Sequence, residues 1–390
     1  MPPACSRSAC TTLLAVALMS AACGRESPPA ADATPWPKQK VALATGISLA
    51  YVDAGNPGGE PVILLHGYTD TGRSFYAMMQ HLLALRPDLR LIALDLRGHG
   101  ASSMPPAESC RAAPERCFRP VDFAADVLAF MDEQGIRRAY LVGHSFGSLV
   151  AQEVALAHPD RVQRLVLIGS FTRGVGHPTW KELLRTGRAL TRREPVVPGE
   201  VYELTPLAAD SGVEAWMLAN WVTEPLADSA LLAAIVPETV RVPLGTWIGV
   251  PGAVLAVDHT ERLKDLRVPT LAIWATQDPL FPETDQALLR AALDSAAARC
   301  GAASVWKRYG KRPLPPSGVP QDEIAHNVQW AAPAAVGADL AAFLREGGAP
   351  TRDLYYADPT DVHRVLTAAG EATLIEHQRR NCQAGGGAAT

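Results

Sequence analysis

The chain has 390 residues, 48% of them apolar and 19% charged. That balance excludes a disordered or fibrous protein, and the length is enough to bury a large core. The net charge of −4, with no clustered stripe of Lys or Arg, leaves no electrostatic footing for nucleic acid or another polyanionic partner.

The N-terminus reads as an export signal. Arg7 precedes an uncharged stretch at residues 11–22 (TTLLAVALMSAA) that is too short to span a bilayer. Residues 1–22 are therefore predicted as a signal peptide. Ser20, Ala21 and Ala22 directly before Cys23 resemble the lipobox of bacterial lipoproteins. The resemblance implies that Cys23 is acylated and becomes the mature N-terminus, with the membrane surface as partner and a periplasmic or membrane-anchored location. Residues 23–40, rich in Pro and Ala and without hydrophobic period, are predicted as a tether.

Export changes what cysteines mean, because disulfides persist in oxidising compartments. With Cys5 and Cys10 leaving in the signal and Cys23 lipidated, Cys110, Cys117, Cys300 and Cys382 remain. Cys110 and Cys117 share one Pro-rich insert and could staple it, while Cys300 could tie down the C-terminal tail through Cys382. Sequence leaves about three pairings open for such a set. None has the close Cys/His spacing of a zinc site, so a metal is not expected there.

From Val41 onward, short apolar runs alternate with helical segments, the pattern of a mostly parallel sheet covered by helices. Strands are predicted at 61–65, 91–96, 139–143, 165–169, 270–275 and 304–309. A helix over 122–133 carries Phe123, Val127, Phe130 and Met131 on one face, opposite its acids. The helix after Gly147 is apolar nearly all round and should be buried beneath the sheet. A last core helix runs over 333–345, stopped by Gly347-Gly348. Residues 41–170 and 263–347 thus form an α/β core. Residues 171–262 lack a strand series and carry Trp180, Trp216, Trp221 and Trp247. They are read as an inserted helical lid whose tryptophans either line an apolar pocket or fill the lid's own core. Residues 348–390 form a C-terminal extension without a functional reading.

The chemistry-bearing residues follow this scaffold. Gly143-His144-Ser145-Phe146-Gly147 is a G-x-S-x-G pattern after a predicted strand and before a predicted helix. In that context the strained turn throws a serine hydroxyl clear of the sheet, and the glycines let strand and helix approach. A serine nucleophile needs a base held by an acid. Asp278 follows the strand VPTLAIWA at the carboxyl edge of the sheet, with Asp285 as the fallback acid, although it should lie in the next helix. His326, in IAHNVQWAAP, is the candidate base; His363 and His377 in the tail are weaker candidates. Backbone N–H groups of Tyr68, after LLHG, and of Phe146 would hold a developing oxyanion. The side chain of His66 is expected to be structural.

With these residues placed, the chain resembles the α/β-hydrolase superfamily over about residues 43–344, excluding most of the lid. LLHGYTDTG, DLRGHGAS, LVGHSFGS, PTLAIWATQDPLFP and AHNVQWAAP carry the resemblance, in that order. It implies the α/β-hydrolase fold, a triad of Ser145, Asp278 and His326, and Tyr68 and Phe146 as oxyanion donors. Epoxide hydrolases and haloalkane dehalogenases of this fold place Asp at the turn, so Ser145 argues against both chemistries. The chain departs from the family pattern at three places. Ser148 replaces a common Gly, the interval between acid and base is long, and Ala331 stands where relatives carry an acid five residues after the histidine.

The expected function is hydrolysis of a carboxylic ester or related acyl bond in a partly apolar small molecule, with no cofactor. A lactone, amide or C–C bond hydrolase, or a perhydrolase, would use the same triad. Two readings of another class are a ligand-binding or signalling module without catalysis and a membrane-associated interaction protein whose lid docks a partner.

Overall fold

The computed structural model describes residues 36–345 except 223, 225–226 and 310–323. Among these, eight strands make one sheet in the order β1-β2-β4-β3-β5-β6-β7-β8. They are β1 (Gln39–Ala42), β2 (Ser48–Gly55), β3 (Glu60–Leu65), β4 (Leu89–Asp95), β5 (Ala139–His144), β6 (Val162–Ile168), β7 (Thr270–Ala275) and β8 (Ser304–Tyr309). From β4 across to β8 every pairing is parallel, and β1–β2 and β2–β4 are antiparallel. The antiparallel pair β1–β2 is absent from the sequence expectations, and the tether predicted to residue 40 overruns the start of β1 at Gln39. The physical reason is that β1 is a short, largely exposed edge strand with a Lys, which lacks the apolar run of a buried strand.

Helices are α1 (Tyr76–Leu85), α2 (Ala107–Cys110), α3 (Pro120–Glu133), α4 (Phe146–Ala157), α5 (Pro178–Ala189), α6 (Pro198–Val201), α7 (Pro206–Ala209), α8 (Val213–Asn220), α9 (Ser229–Thr239), α10 (Leu244–Val254), α11 (Glu283–Cys300), α12 (Val328–Ala331) and α13 (Pro333–Phe343). Successive strand residues point to opposite faces. Ile63 and Leu65 of β3 accordingly join one apolar cluster with α3, α4, α11 and the lid, while Val62 and Leu64 join the other, with α1 and α13. Both faces are covered, which explains the near-continuous Val, Ile and Leu of the parallel strands. On α3, Phe123, Val127, Phe130 and Met131 are fully buried, and α4 is buried along most of its length.

Between β6 and β7 the described chain is helical (α5 to α10), with one isolated antiparallel bridge, Arg173 to Asp258, at its base. Cys110 and Cys117 form a disulfide that closes the insert after β4. Cys300 ends α11. Residues 1–22, Cys23, Gly347-Gly348 and 348–390, including His363, His377 and Cys382, lie outside the described residues.

Candidate active site

Ser145 sits between β5 and α4 with φ 52° and ψ −121°, a left-handed backbone held by a non-glycine residue. Such strain persists only where the surroundings enforce it. Its N–H donates to the Ile168 carbonyl at 2.9 Å. Close approach explains both flanking glycines: a Cβ at Gly143 would lie 2.4 Å from the Gly147 carbonyl oxygen, and one at Gly147 would lie 2.2 Å from the Leu65 carbonyl oxygen. Ser148, the departure from the common Gly, is accommodated with its hydroxyl 2.5 Å from the Ser145 carbonyl and 2.8 Å from Ser170 Oγ.

Asp278 follows β7 and His326 precedes α12, and the fold brings them together. His326 Nδ1 lies 2.8 Å from Asp278 Oδ2, with both side chains buried. Asp278 Oδ1 accepts the N–H groups of Leu280 at 2.8 Å and Phe281 at 3.1 Å, so the carboxylate is fixed in rotation. His326 Nε2 is buried and has no hydrogen-bond partner among the described residues. The fallback acid Asp285 is not part of this group; it lies in α11 and pairs with His177 Nε2 at 3.2 Å. Its place on the helix turns it toward the lid base instead of toward the strand edge.

Gly67 and Tyr68, just after β3, pass beside Ser145: a Cβ on Gly67 would come within 3.1 Å of Ser145 Cβ. Phe146 is the first residue of α4, so its N–H has no acceptor within the helix. His66 is structural, as expected. Its Nε2 accepts the Leu96 N–H at 2.9 Å, which leaves Nδ1 to donate to the Gly67 carbonyl at 2.8 Å. Burial, with His99 nearby, keeps its pKa well below the usual range, so the ring stays neutral.

Ser145, His326 and Tyr68 line one cavity of about 390 Å³, within the range of small-molecule sites. Trp180, Trp216, Trp221, Met217 and Phe281 make much of its wall. The fourth lid tryptophan, Trp247, does not line the cavity. It is fully buried and packs on Tyr68 and Trp221, so it fills the interior of the lid.

Two carboxyls at the site have no counterpart in the sequence reading. Asp70 lines the cavity and is buried, which raises its pKa to about 7. Glu224, in the lid connection between α8 and α9, is 3% exposed and reaches the backbone on either side of His326. Asp70 lies within the LLHGYTDTG motif without having been singled out there, and Glu224 lies in no recognisable motif. The one sequence signal was negative: position 331 is Ala, which leaves the histidine loop without an acid of its own there.

Known proteins share this fold. The α/β hydrolase fold family model matches residues 60–302. Mouse epoxide hydrolase 4 is 29% identical over 124 residues, 32% of each chain. The dihydrolipoyllysine-residue acetyltransferase component of the acetoin cleaving system of Pseudomonas putida is 28% identical over 257 residues, 65% of this chain and 61% of that one. The chain thus spans less than two thirds of the length of either relative. The crystal structure of the enol-lactonase from Burkholderia xenovorans LB400 superimposes with a TM-score of 0.58 at 21% identity, covering 79% of this chain and 100% of that one, a likeness of fold. With a serine at the strained turn and a buried His–Asp pair whose histidine lines the same cavity, this chain belongs to the α/β hydrolase fold family.

Proposed function

We propose that the protein is a serine hydrolase that cleaves a carboxylic ester or related acyl bond of a partly apolar small molecule through an acyl-enzyme. The observation that carries this reading is the state of His326: Nδ1 is engaged by a buried carboxylate, and Nε2 is unpartnered beside the cavity that Ser145 lines. Nδ1–H donating to Asp278 leaves the lone pair on Nε2, the tautomer a general base requires.

In this mechanism Ser145 Oγ attacks the acyl carbon while His326 Nε2 takes its proton. The carbonyl becomes an oxyanion received by the N–H groups of Tyr68 and Phe146, each worth about 2.7–4 kcal/mol in such a site. His326 then protonates the departing alkoxide, which leaves as the alcohol. Water, deprotonated by the same nitrogen, attacks the acyl-enzyme and releases the acid, restoring Ser145. The tryptophan-walled cavity supports an apolar acyl or alcohol group. An epoxide substrate finds no support, because Ser145 occupies the turn where the resemblance puts Asp in epoxide hydrolases.

We also propose that the protein is exported and anchored through Cys23. The Cys110–Cys117 disulfide supports an oxidising compartment. Mass analysis of the mature N-terminus should find a diacylglyceryl cysteine at position 23, and an unmodified Met1 would remove this part of the reading.

The decisive experiment is p-nitrophenyl ester hydrolysis with the parent chain and Ser145→Ala, alongside fluorophosphonate labelling. Parent turnover and labelling at Ser145, both lost in the variant, are expected. Activity that persists in Ser145→Ala would sink the proposal, and a folded parent that neither turns over nor labels would favour a binding module.

A further inference from the structure

The segment bearing His326 is held from two sides, and the sides belong to different parts of the fold. On the core side, His144, the residue before Ser145, places Nε2 3.3 Å from the His326 carbonyl, with the two rings 4.9 Å apart. Burial, with His326 beside it, lowers the pKa of His144 well below its usual value. The ring is therefore neutral, and its N–H donates to that carbonyl.

On the lid side, Glu224 Oε1 and Oε2 lie 3.0 and 3.1 Å from the Ala325 nitrogen, and Oε2 lies 3.0 Å from the Asn327 nitrogen. The N–H before the histidine and the N–H after it converge on one carboxyl. Among the described residues no cation pairs with Glu224, although it is 3% exposed. A buried carboxyl is costly unless its hydrogen-bonding capacity is used, and here the peptide groups flanking His326 use it.

We infer that Glu224 is a positioning residue: carried by the lid, it clamps the two peptide N–H groups flanking His326 and so sets the reach of the imidazole toward Ser145. This inference rests on the triad reading. With the clamp gone, the bond to Asp278 still holds Nδ1, but the ring can pivot about that contact and carry Nε2 away from the serine. A displacement of about 1 Å at a reacting group costs roughly 100-fold in rate. Because the clamp comes from the lid and the His144 contact from the core, the base is in register only when the lid is seated.

Burial raises the Glu224 carboxyl to about 8, with the Asp278 charge adding to the shift. At neutral pH it is therefore largely protonated and accepts the N–H groups through its carbonyl oxygen. Gln, which keeps a carbonyl oxygen in the same place, is a close mimic. Ala and Leu offer no acceptor, and Leu also fills the space.

The test compares Glu224→Ala, Glu224→Leu and Glu224→Gln in the full chain, by p-nitrophenyl ester kinetics, fluorophosphonate labelling rate and Tm. The Ala and Leu variants should lose about 10- to 100-fold in kcat, with KM within about threefold of the parent and labelling slowed in proportion. Glu224→Gln should keep at least about a third of the parent kcat. A kcat within twofold of the parent for a folded Ala or Leu variant overturns the inference, and so does a loss confined to KM. A folded Gln variant as impaired as Leu overturns it too. If neither apolar variant folds, Glu224→Asp decides, since it withdraws the carboxyl by one methylene. A tenfold loss of kcat at the parent Tm then supports the clamp, and parent kcat overturns it. An inactive Ser145→Ala beside a parent-like Glu224→Leu would defeat the clamp alone, whereas an active Ser145→Ala would defeat the triad reading beneath it.

Discussion

The Tyr68 hydroxyl donates to the Trp247 carbonyl at 2.6 Å, joining the loop after β3 to lid helix α10. That carbonyl needs a partner from outside its helix. Its donor in the i+4 bond would be the N–H of residue 251, which is Pro251 inside α10, and proline has no N–H. Tyr68 thus repairs a defect built into the lid and, in doing so, fixes the lid beside the proposed oxyanion donors.

Tyr68→Phe keeps the backbone N–H and the ring but strands the buried Trp247 carbonyl, a cost of about 1–3 kcal/mol. Urea denaturation should show that loss. Adding Pro251→Ala supplies the missing helix N–H and should return part of it. Additive losses in the double variant would show that the hydroxyl does not serve this carbonyl.

Asp278→Asn separates geometry from proton bookkeeping. The N–H groups of Leu280 and Phe281 fix the oxygen that accepts them, so the amide nitrogen is presented to His326 Nδ1. Nδ1 must then become the acceptor and Nε2 the protonated nitrogen, which cannot take the serine proton. An unchanged Tm with kcat down by about 10³- to 10⁴-fold is expected. A loss below tenfold would show that Asp278 does not set the tautomer.

Asp70 makes stability depend on pH. Its folded-state pKa is raised from 3.8 to about 7 by burial, so the folded protein keeps a proton that the unfolded chain releases. Stability should therefore fall as pH rises through that window and level off above it, with a slope of at most about 1.4 kcal/mol per pH unit from this group. Glu224, raised to about 8, acts in the same direction. Denaturation from pH 4 to 8 should be less pH-dependent in Asp70→Asn, and an unchanged slope would mean that Asp70 is ionised throughout the window.

The parallel strands were legible because a strand buried on both faces must be an apolar run, as in Leu89–Asp95 and Thr270–Ala275. Strands β1 and β2 were not: one is an exposed edge, and the other carries Asp53, whose charge is met by Arg90 at 2.6 Å only once β2 pairs with β4. Ser145, Asp278 and His326 stood out because each follows or precedes an element whose pattern is local. Trp247 could not be told from its three neighbours by sequence, since pocket wall and lid interior require the same apolar surface.

Sequence by itself determined the parallel strands of the sheet, the strained turn at Ser145 and the chain order of Asp278 and His326, because these depend on period, turn chemistry and immediate neighbours. Tertiary structure alone decided that Glu224 meets Ala325 and Asn327, that Asp285 turns to His177 and that Tyr68 completes α10. Those contacts join the lid to the core or the far end of the chain to its middle. No local propensity encodes a hydrogen bond between groups about a hundred or more residues apart; it exists only after the apolar faces have packed and brought them within reach.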